Sequence, residues 1–347
     1  MMHFTNTFIR LALLVASLGI LMVGMSDKLQ KKLNDRGWIP NQYRFGDLYN
    51  VTNLERFKEL NMDLEDALTE ADKPATRSDE VDLYTIGDSF TTMDTGFYAG
   101  NQNHHIWLGL NVETVHLNSE KQSILVIEVI ERTIQERLKA SYRKLYIEKG
   151  FQTDNPGSVV KTAKAPGTTS FWLSKFNDQI NQRLEFLLFN SITFLKIKEL
   201  KAEIMLKWFG RTHPGAVISR DHQFLFYEVE ANPASVLSPF QAIDDASIDS
   251  VVTNMNIIRN YYRGVGFKEV YFCFIPNKVT VCEPDRFVYN NQISRIEMHP
   301  KLEVPVLSIQ DTLRKHPEWF HKSDGHWNVQ GKRLWLQTVN RLVSHTN

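Results

Sequence analysis

The chain has 347 residues, 42% of them apolar and 11% aromatic, which is enough to bury a sizeable core in one large domain or two small ones. Its 40 basic and 40 acidic side chains cancel, leaving no electrostatic footprint for nucleic acid, and two cysteines are too few for a disulfide framework. Those two, Cys273 and Cys282, flank Pro276-Asn277 and would face each other in a hairpin; the alternative is a pair of buried, small apolar thiols.

Residues 1–26 carry a targeting signal. Beyond Phe8, Ile9 and Arg10, the fifteen residues from Leu11 to Met25 have no charge. Counted from Phe8, a helix here would be about 27 Å long, close to a hydrocarbon core of roughly 30 Å. Gly24-Met25-Ser26 is a poor match to a small-x-small cleavage site, so the segment reads as an uncleaved signal anchor in preference to a cleaved signal peptide. Lys28, Lys31, Lys32 and Arg36 after it outnumber Arg10 before it, a balance that alone would keep the bulk of the chain cytoplasmic.

Residues 27–80 read as a polar, partly helical lead-in that ends in a charged, Pro-containing linker at 71–80. From Val81 short apolar runs alternate with helical spacing, which predicts strands at 81–86, 112–117, 123–129, 223–229, 269–275 and 304–309. Helices are expected at 131–147 and 248–262, and a last one begins near Asn328, a good N-cap. This pattern implies an α/β domain over 81–347 with a mostly parallel sheet covered on both faces. A helical insertion at about 155–210 interrupts it. Leu184, Leu187, Leu188, Ile192, Leu195 and Leu200 sketch a wide apolar stripe there, either a cap on the core or an amphipathic surface that meets a membrane or partner near the anchor.

The run 81–90, VDLYTIGDSF, stops a strand at Gly87-Asp88-Ser89-Phe90. Such a turn lifts a hydroxyl at the carboxyl edge of a sheet, where open α/β folds place their ligands. A nucleophilic serine needs a base, and the base needs a third group to hold it. Lys322-Ser323-Asp324-Gly325-His326-Trp327-Asn328 supplies both: an Asp two residues before a His can accept from one imidazole nitrogen while the other faces the serine. Taken singly, each motif has an ordinary reading, a helix-capping serine and an exposed loop histidine beside Trp327. His104-His105 and His116 lack zinc spacing, and no phosphate loop, CxxC or dinucleotide fingerprint occurs, so no metal and no cofactor is expected.

Taken as a pair, the early Gly-Asp-Ser-Phe and the late Asp-x-His-Trp resemble the SGNH (GDSL-type) hydrolase superfamily. Within it, the nearest likeness is to the branch of alginate O-acetylation proteins and DHHW proteins. The resemblance spans roughly 81–343 and implies a flavodoxin-like, three-layer SGNH fold with a catalytic triad of Ser89, His326 and Asp324. The Ser89 N–H would be the first oxyanion donor. The usual Gly-x-Asn-Asp block after the third strand is missing, and Ile127-Glu128-Val129-Ile130-Glu131-Arg132 takes its place. The resemblance implies that Arg132 does the electrostatic work of the absent Asn; the alternative is an ordinary helix-start ion pair with Glu128 or another nearby carboxylate. Asn118 is a second oxyanion candidate. Lys278, in Ile275-Pro276-Asn277-Lys278, is either a ligand for a substrate carboxylate or a solvated loop lysine.

The implied activity is an extracytoplasmic, membrane-anchored O-acetyltransferase that modifies polysaccharide hydroxyls through an acyl-Ser89 intermediate. A multipass membrane O-acyltransferase would be its acyl-donating partner. An esterase or deacetylase with the same triad, and an inactive scaffold that binds glycan, are the alternatives. The resembled proteins work outside the cytoplasm, and export signals commonly operate with a single positive charge. A periplasmic or cell-surface location is therefore expected despite the charge balance around the anchor.

Overall fold

The computed structural model describes residues 2–36, 38–39, 45–60, 62, 67–108, 117–148, 184–185, 187–189 and 192–344. Helix α1 (Met2–Met25) opens the chain, and its stretch Thr7–Met25 is long and apolar enough to be a membrane anchor or a signal sequence. Leu11, Leu14 and Val15 are more than half exposed, so the described residues leave most of this stretch uncovered. Helices α2 (Asp27–Asp35) and α3 (Asp47–Thr52) lead to strands β1 (Val81–Gly87), β2 (Asn103–Trp107) and β3 (Gln122–Ile130). Helical turns at Glu131–Thr133, Gln135–Ala140 and Arg143–Ile147 follow β3. After helix α4 (Ile192–Phe209), strand β4 (Ala216–Ile218) pairs antiparallel with β5 (Leu225–Tyr227). The chain then runs through α5 (Glu228–Ala231), α6 (Asp245–Val265), β6 (Glu269–Ile275), α7 (Lys278–Cys282), α8 (Gln292–Glu297), α9 (Gln310–Lys315) and α10 (Val329–Ser344).

Strands β2, β1, β3 and β6 lie side by side in that order, all parallel. Their side chains alternate between two cores, as strands buried on both faces must. Val81, Leu83, Ile124 and Val126 pack against Trp335, Leu336 and Val339 of α10. Tyr84, Ile86, Leu125 and Ile127 meet Val251, Met255 and Ile258 of α6 on the opposite face. Trp335 is fully buried, and truncation of a side chain of this kind to Ala typically costs about 3–5 kcal/mol. Because every strand is parallel, Gly87, Trp107, Ile130 and Ile275 end at one edge of the sheet, and this edge carries the candidate chemistry.

Several expectations shift. The second strand of the sheet is β2, whose face is mostly half-buried His and Asn; only Ile106 is fully buried, so an apolar pattern does not single it out. Of the expected strand at 112–117, residues 112–116 lie outside the described residues, as does His116, and Leu117 is not in a strand. The expected strand at 223–229 is not part of the parallel sheet. Leu225–Tyr227 instead forms the small ribbon with Ala216–Ile218, and the chain turns helical at Glu228. The run at 304–309 contributes a single bridge, Val306 to Phe272. Of the insertion expected at 155–210, α4 is the main described part.

Cys273 and Cys282 are free thiols on β6 and α7, with no hairpin between them. Part of the lead-in is packed on the fold: Leu48, Tyr49, Leu54 and Phe57 are each at most 2% exposed. Leu48, Leu54 and Phe57 form a satellite core with Ala216 of β4 and Leu225 of β5, onto which Ala202 and Leu206 of α4 pack. α3 is six residues long, too short for helical periodicity to announce a buried face.

Candidate active site

The serine side is built within one strand end. Gly87 closes β1 where Glu128 of β3 passes beneath it. A Cβ on Gly87 would meet Thr91 Oγ1 and would lie 2.8 Å from Glu128 Oε2, so glycine is what lets the carboxyl approach. Glu128 Oε2 accepts the Asp88 N–H at 2.9 Å, and Asp88 Oδ1 accepts the Phe90 N–H at 3.1 Å, folding the backbone into an Asx-type turn. Arg137 donates to Asp88 Oδ2 at 3.3 Å. Burial, then the neighbouring Asp88 charge, pushes the Glu128 carboxyl well above the ordinary carboxylate range. Ser89 projects from this turn and is exposed. Its N–H engages nothing among the described residues.

The histidine side comes from the loop before α10. Ser89 Oγ lies 2.6 Å from His326 Nε2 across 237 positions of chain. His326 Nδ1 is 2.5 Å from Asp324 Oδ1, which also accepts the His326 N–H at 2.9 Å. The ring packs on Phe90, with centroids 4.6 Å apart, and Trp327 Nε1 donates to the Phe90 carbonyl at 3.1 Å. That bond ties the histidine loop to the serine turn. Burial opposes charge on His326, but the hydrogen bond and charge of Asp324, with Asp47 and Asp88 behind, raise its pKa above the ordinary value. Asp324 moves the opposite way: against the upward pull of burial, His326 and the N–H groups of Asp47 and His326 hold it well below the carboxylate range. The result is a serine, a basic imidazole and an anionic orienting carboxylate within hydrogen-bonding reach, the arrangement that serine acyl transfer requires.

A second layer under the histidine comes from the lead-in. Asp47 N–H donates to Asp324 Oδ2 at 3.0 Å, and Asp47 Oδ1 accepts the Gly325 N–H at 3.2 Å. Tyr227 OH donates to Asp47 Oδ2. Burial and the Asp324 charge push the Asp47 carboxyl up to about 7. Glu59 accepts from Ser323 N–H at 2.8 Å and pairs with His321 Nδ1 at 3.2 Å. Tyr227 packs where a side chain on Gly325 would stand, so the glycine of Asp324-Gly325-His326 makes room for the ring. Asp47, Glu59 and Tyr227 were not anticipated. Their only sequence signal is a lone acidic or aromatic residue, Asp47 and Tyr227 in short elements and Glu59 outside any, which many ordinary positions share.

The remaining candidates divide. Arg132 stands just past the carboxyl end of β3; its NH1 donates to Glu230 at 2.5 Å, and its guanidinium carbon is 5.6 Å from the Tyr227 ring centroid. It is thus ion-paired, but with Glu230 of α5 across 98 positions of chain and not in a local helix-start pair. Its remaining guanidinium donors engage nothing among the described residues. Lys278 is neither a substrate ligand nor a solvated lysine. It is 2% exposed, and its Nζ donates to the carbonyls of His321 at 2.9 Å and Asp324 at 2.7 Å. Burial holds its pKa below the ordinary lysine value. Its work is to pin the histidine loop.

Asn118 lies on the wrong edge. It turns the chain just before Gln122, which pairs with Val81 at the start of β1, about 20 Å along the strand from Gly87. Asp47, Asp324 and His326 also bring three metal-ligating atoms within 4.8 Å of one another. The closest of these contacts, the 2.5 Å hydrogen bond from His326 to Asp324, makes the group a proton-holding cluster first. Set against known proteins, the chain matches no family model, no curated protein and no solved structure.

Proposed function

We propose that the chain is a membrane-attached, extracytoplasmic serine O-acyltransferase of the SGNH type, which moves acetyl groups onto polysaccharide hydroxyls. The observation that carries this reading is the continuous hydrogen-bonded line from Ser89 Oγ through His326 to Asp324, at 2.6 Å and 2.5 Å. The SGNH arrangement is supported by the place of the serine after the first strand, the Asp-x-His before the last helix, and helices on both faces of a parallel sheet. The acetyl group, the glycan, the outside location and a multipass membrane acyltransferase as donor rest on the family resemblance of the motifs.

The steps follow from the geometry. Ser89 Oγ attacks the acyl carbonyl carbon while His326 Nε2 takes its proton. The carbonyl oxygen becomes an oxyanion that the Ser89 N–H can meet, with Arg132 on the same edge as a source of positive charge. Collapse of the tetrahedral intermediate expels the donor's alkoxide, which receives the proton from His326 and leaves acyl-Ser89. An incoming hydroxyl then gives its proton to His326 as its oxygen attacks the acyl carbon, and the second tetrahedral intermediate collapses by expelling Ser89 Oγ, which takes that proton back from His326. Asp324 stabilises the imidazolium formed at each step.

Water is the competing acceptor. The exposure of Ser89 favours a second reading, hydrolysis of acyl esters by the same residues. Supplying an activated acetyl ester with an oligosaccharide separates them. Transferase activity predicts acetyl on the oligosaccharide in excess of free acetate, hydrolysis predicts acetate alone, and a scaffold predicts neither product above the Ser89→Ala background.

A further inference from the structure

We propose that α4 is an interfacial helix, its outer face seated at the boundary between headgroups and acyl chains of the same bilayer that α1 enters. The 18 residues of α4 make a rod of about 27 Å with two apolar sides. The inner side is spent on the protein: Leu195 is 4% exposed, and Ala202 and Leu206 pack on the satellite core. On the outer side Phe194 meets the Phe189 ring edge to face, with centroids 5.4 Å apart, and the rest of the stripe stays largely open among the described residues. Phe194, Ile197, Leu200, Ile204, Trp208 and Phe209 are 42, 58, 63, 38, 79 and 59% exposed, and their spacing of three and four residues draws one stripe along the helix. A soluble protein rarely leaves so continuous an apolar face in water.

The composition around the stripe selects a lipid surface. α4 carries Lys196, Lys198, Lys201 and Lys207 against Glu199 and Glu203, and Arg211 follows its end. An apolar stripe with basic flanks and an aromatic terminus is the pattern of helices that lie in anionic headgroups.

Continuity with α1 selects which membrane. Gly24, at the exit of α1, is the one fully buried position of that apolar span, and Leu184 covers it: a Cβ on Gly24 would lie 2.6 Å from Leu184 Cδ2. Leu184 leads into α4 past Leu188 and Phe189, each 44% exposed. The lipid-facing stripe thus begins where the anchor leaves the bilayer. Trp38, shortly after α2, is 73% exposed and gives a second indole for the headgroup level.

This seat has a consequence for the active edge. Glu199, on the inner side of α4, accepts from Tyr49 OH at 2.5 Å and from Lys58 Nζ at 2.7 Å. Tyr49 N–H in turn donates to the Ser323 carbonyl, beside Asp324. Two attachments, α1 and α4, would fix how the histidine loop stands above the membrane, whereas one anchor alone leaves the domain free to rotate. The inference does not depend on the chemistry assigned to Ser89.

The test uses the full-length chain in phosphatidylcholine vesicles containing phosphatidylglycerol. Nitroxide labels go on Leu200→Cys, Trp208→Cys and, as an aqueous control on α6, Asn260→Cys; the unsubstituted chain sets the background from Cys273 and Cys282. Both stripe positions are exposed, so the substitutions leave the core packing alone, and two sites guard against a local artefact. The expected result is an oxygen-to-nickel accessibility ratio several-fold higher at residues 200 and 208 than at 260. Ratios at 200 and 208 equal to that at 260 would overturn the proposal. So would spin–spin broadening at 200 that disappears on dilution with unlabelled chain, because it would assign the face to a second copy.

Discussion

Two carboxylate pairs flank Ser89 and His326, and they are built differently. Under the serine, Asp88 and Glu128 come from neighbouring strand ends of one sheet, and Glu128 is sealed with 0% exposure. Under the histidine, Asp324 and Asp47 lie 277 positions apart, and Asp47 is only partly buried. In each pair one carboxyl is driven up by burial and by its neighbour's charge. The difference is in how each is held. Glu128, fully buried, is raised well above the ordinary range and accepts the Asp88 N–H under the turn, while Asp47 changes charge near neutrality beside the Asp324–His326 pair. The serine side is therefore a rigid support, and the histidine side is a support whose charge follows pH.

Breaking the histidine side should cost most. Asp324→Asn keeps the shape but removes the charge that orients His326 and stabilises its protonated form, and kcat should fall by about 10⁴. Steady-state kinetics on a chromogenic ester would measure it, with circular dichroism to show that the fold is retained. Gly325→Ala comes next. The new methyl collides with Tyr227, displaces the loop, and should cost about 10²-fold in kcat/KM, as a shift of the order of 1 Å does.

The comparison itself is sharpened by pH. His326 is raised above its ordinary value, so its basic form, and with it kcat/KM, is lost as pH falls through that raised value. Asp47→Asn removes a negative charge that helps raise it, and the acid limb should move to lower pH; Glu128→Gln should leave the limb in place. Stability gives the complementary reading. A carboxyl raised in the fold stabilises fully below its unfolded pKa and loses that contribution as pH rises through the folded one. For Asp47 the window runs from 3.8 to about 7, so Asp47→Asn should gain stability on the parent chain across it and level off above. Glu128 is raised too, so Glu128→Gln should likewise gain on the parent chain as pH rises above the ordinary carboxylate range. Urea titrations at a series of pH values measure both. The smallest effect is expected for Tyr49→Phe, which loses one hydrogen bond to Glu199 and should cost about 1 kcal/mol.

Strands β1, β3 and β6 and the line from Ser89 through His326 to Asp324 were legible because their signals are local, whereas β2 was not. β1 and β3 are runs buried on both faces, and a glycine–serine strand end and an Asp-x-His each report their chemistry within a few residues. The satellite core and its buttress were not. Leu48 and Phe57 lie in elements of six and three residues, and Asp47 acquires meaning only when the fold sets it against Gly325. Lys278 misled for a related reason: a lysine after a strand end ordinarily faces water, and only the two carbonyls of the histidine loop make its burial tolerable. Asn118 misled because the second strand was placed after β2, which reversed the edge on which it stands.

The central claim is that Ser89 is a nucleophile activated by His326. Treating the detergent-solubilised chain with a fluorophosphonate and locating the adduct by peptide mass spectrometry tests it most directly. The account predicts phosphonylation at Ser89, absent in Ser89→Ala and slowed in Asp324→Asn. An unlabelled Ser89 in a folded chain, or labelling that Asp324→Asn leaves at the parent rate, would contradict it.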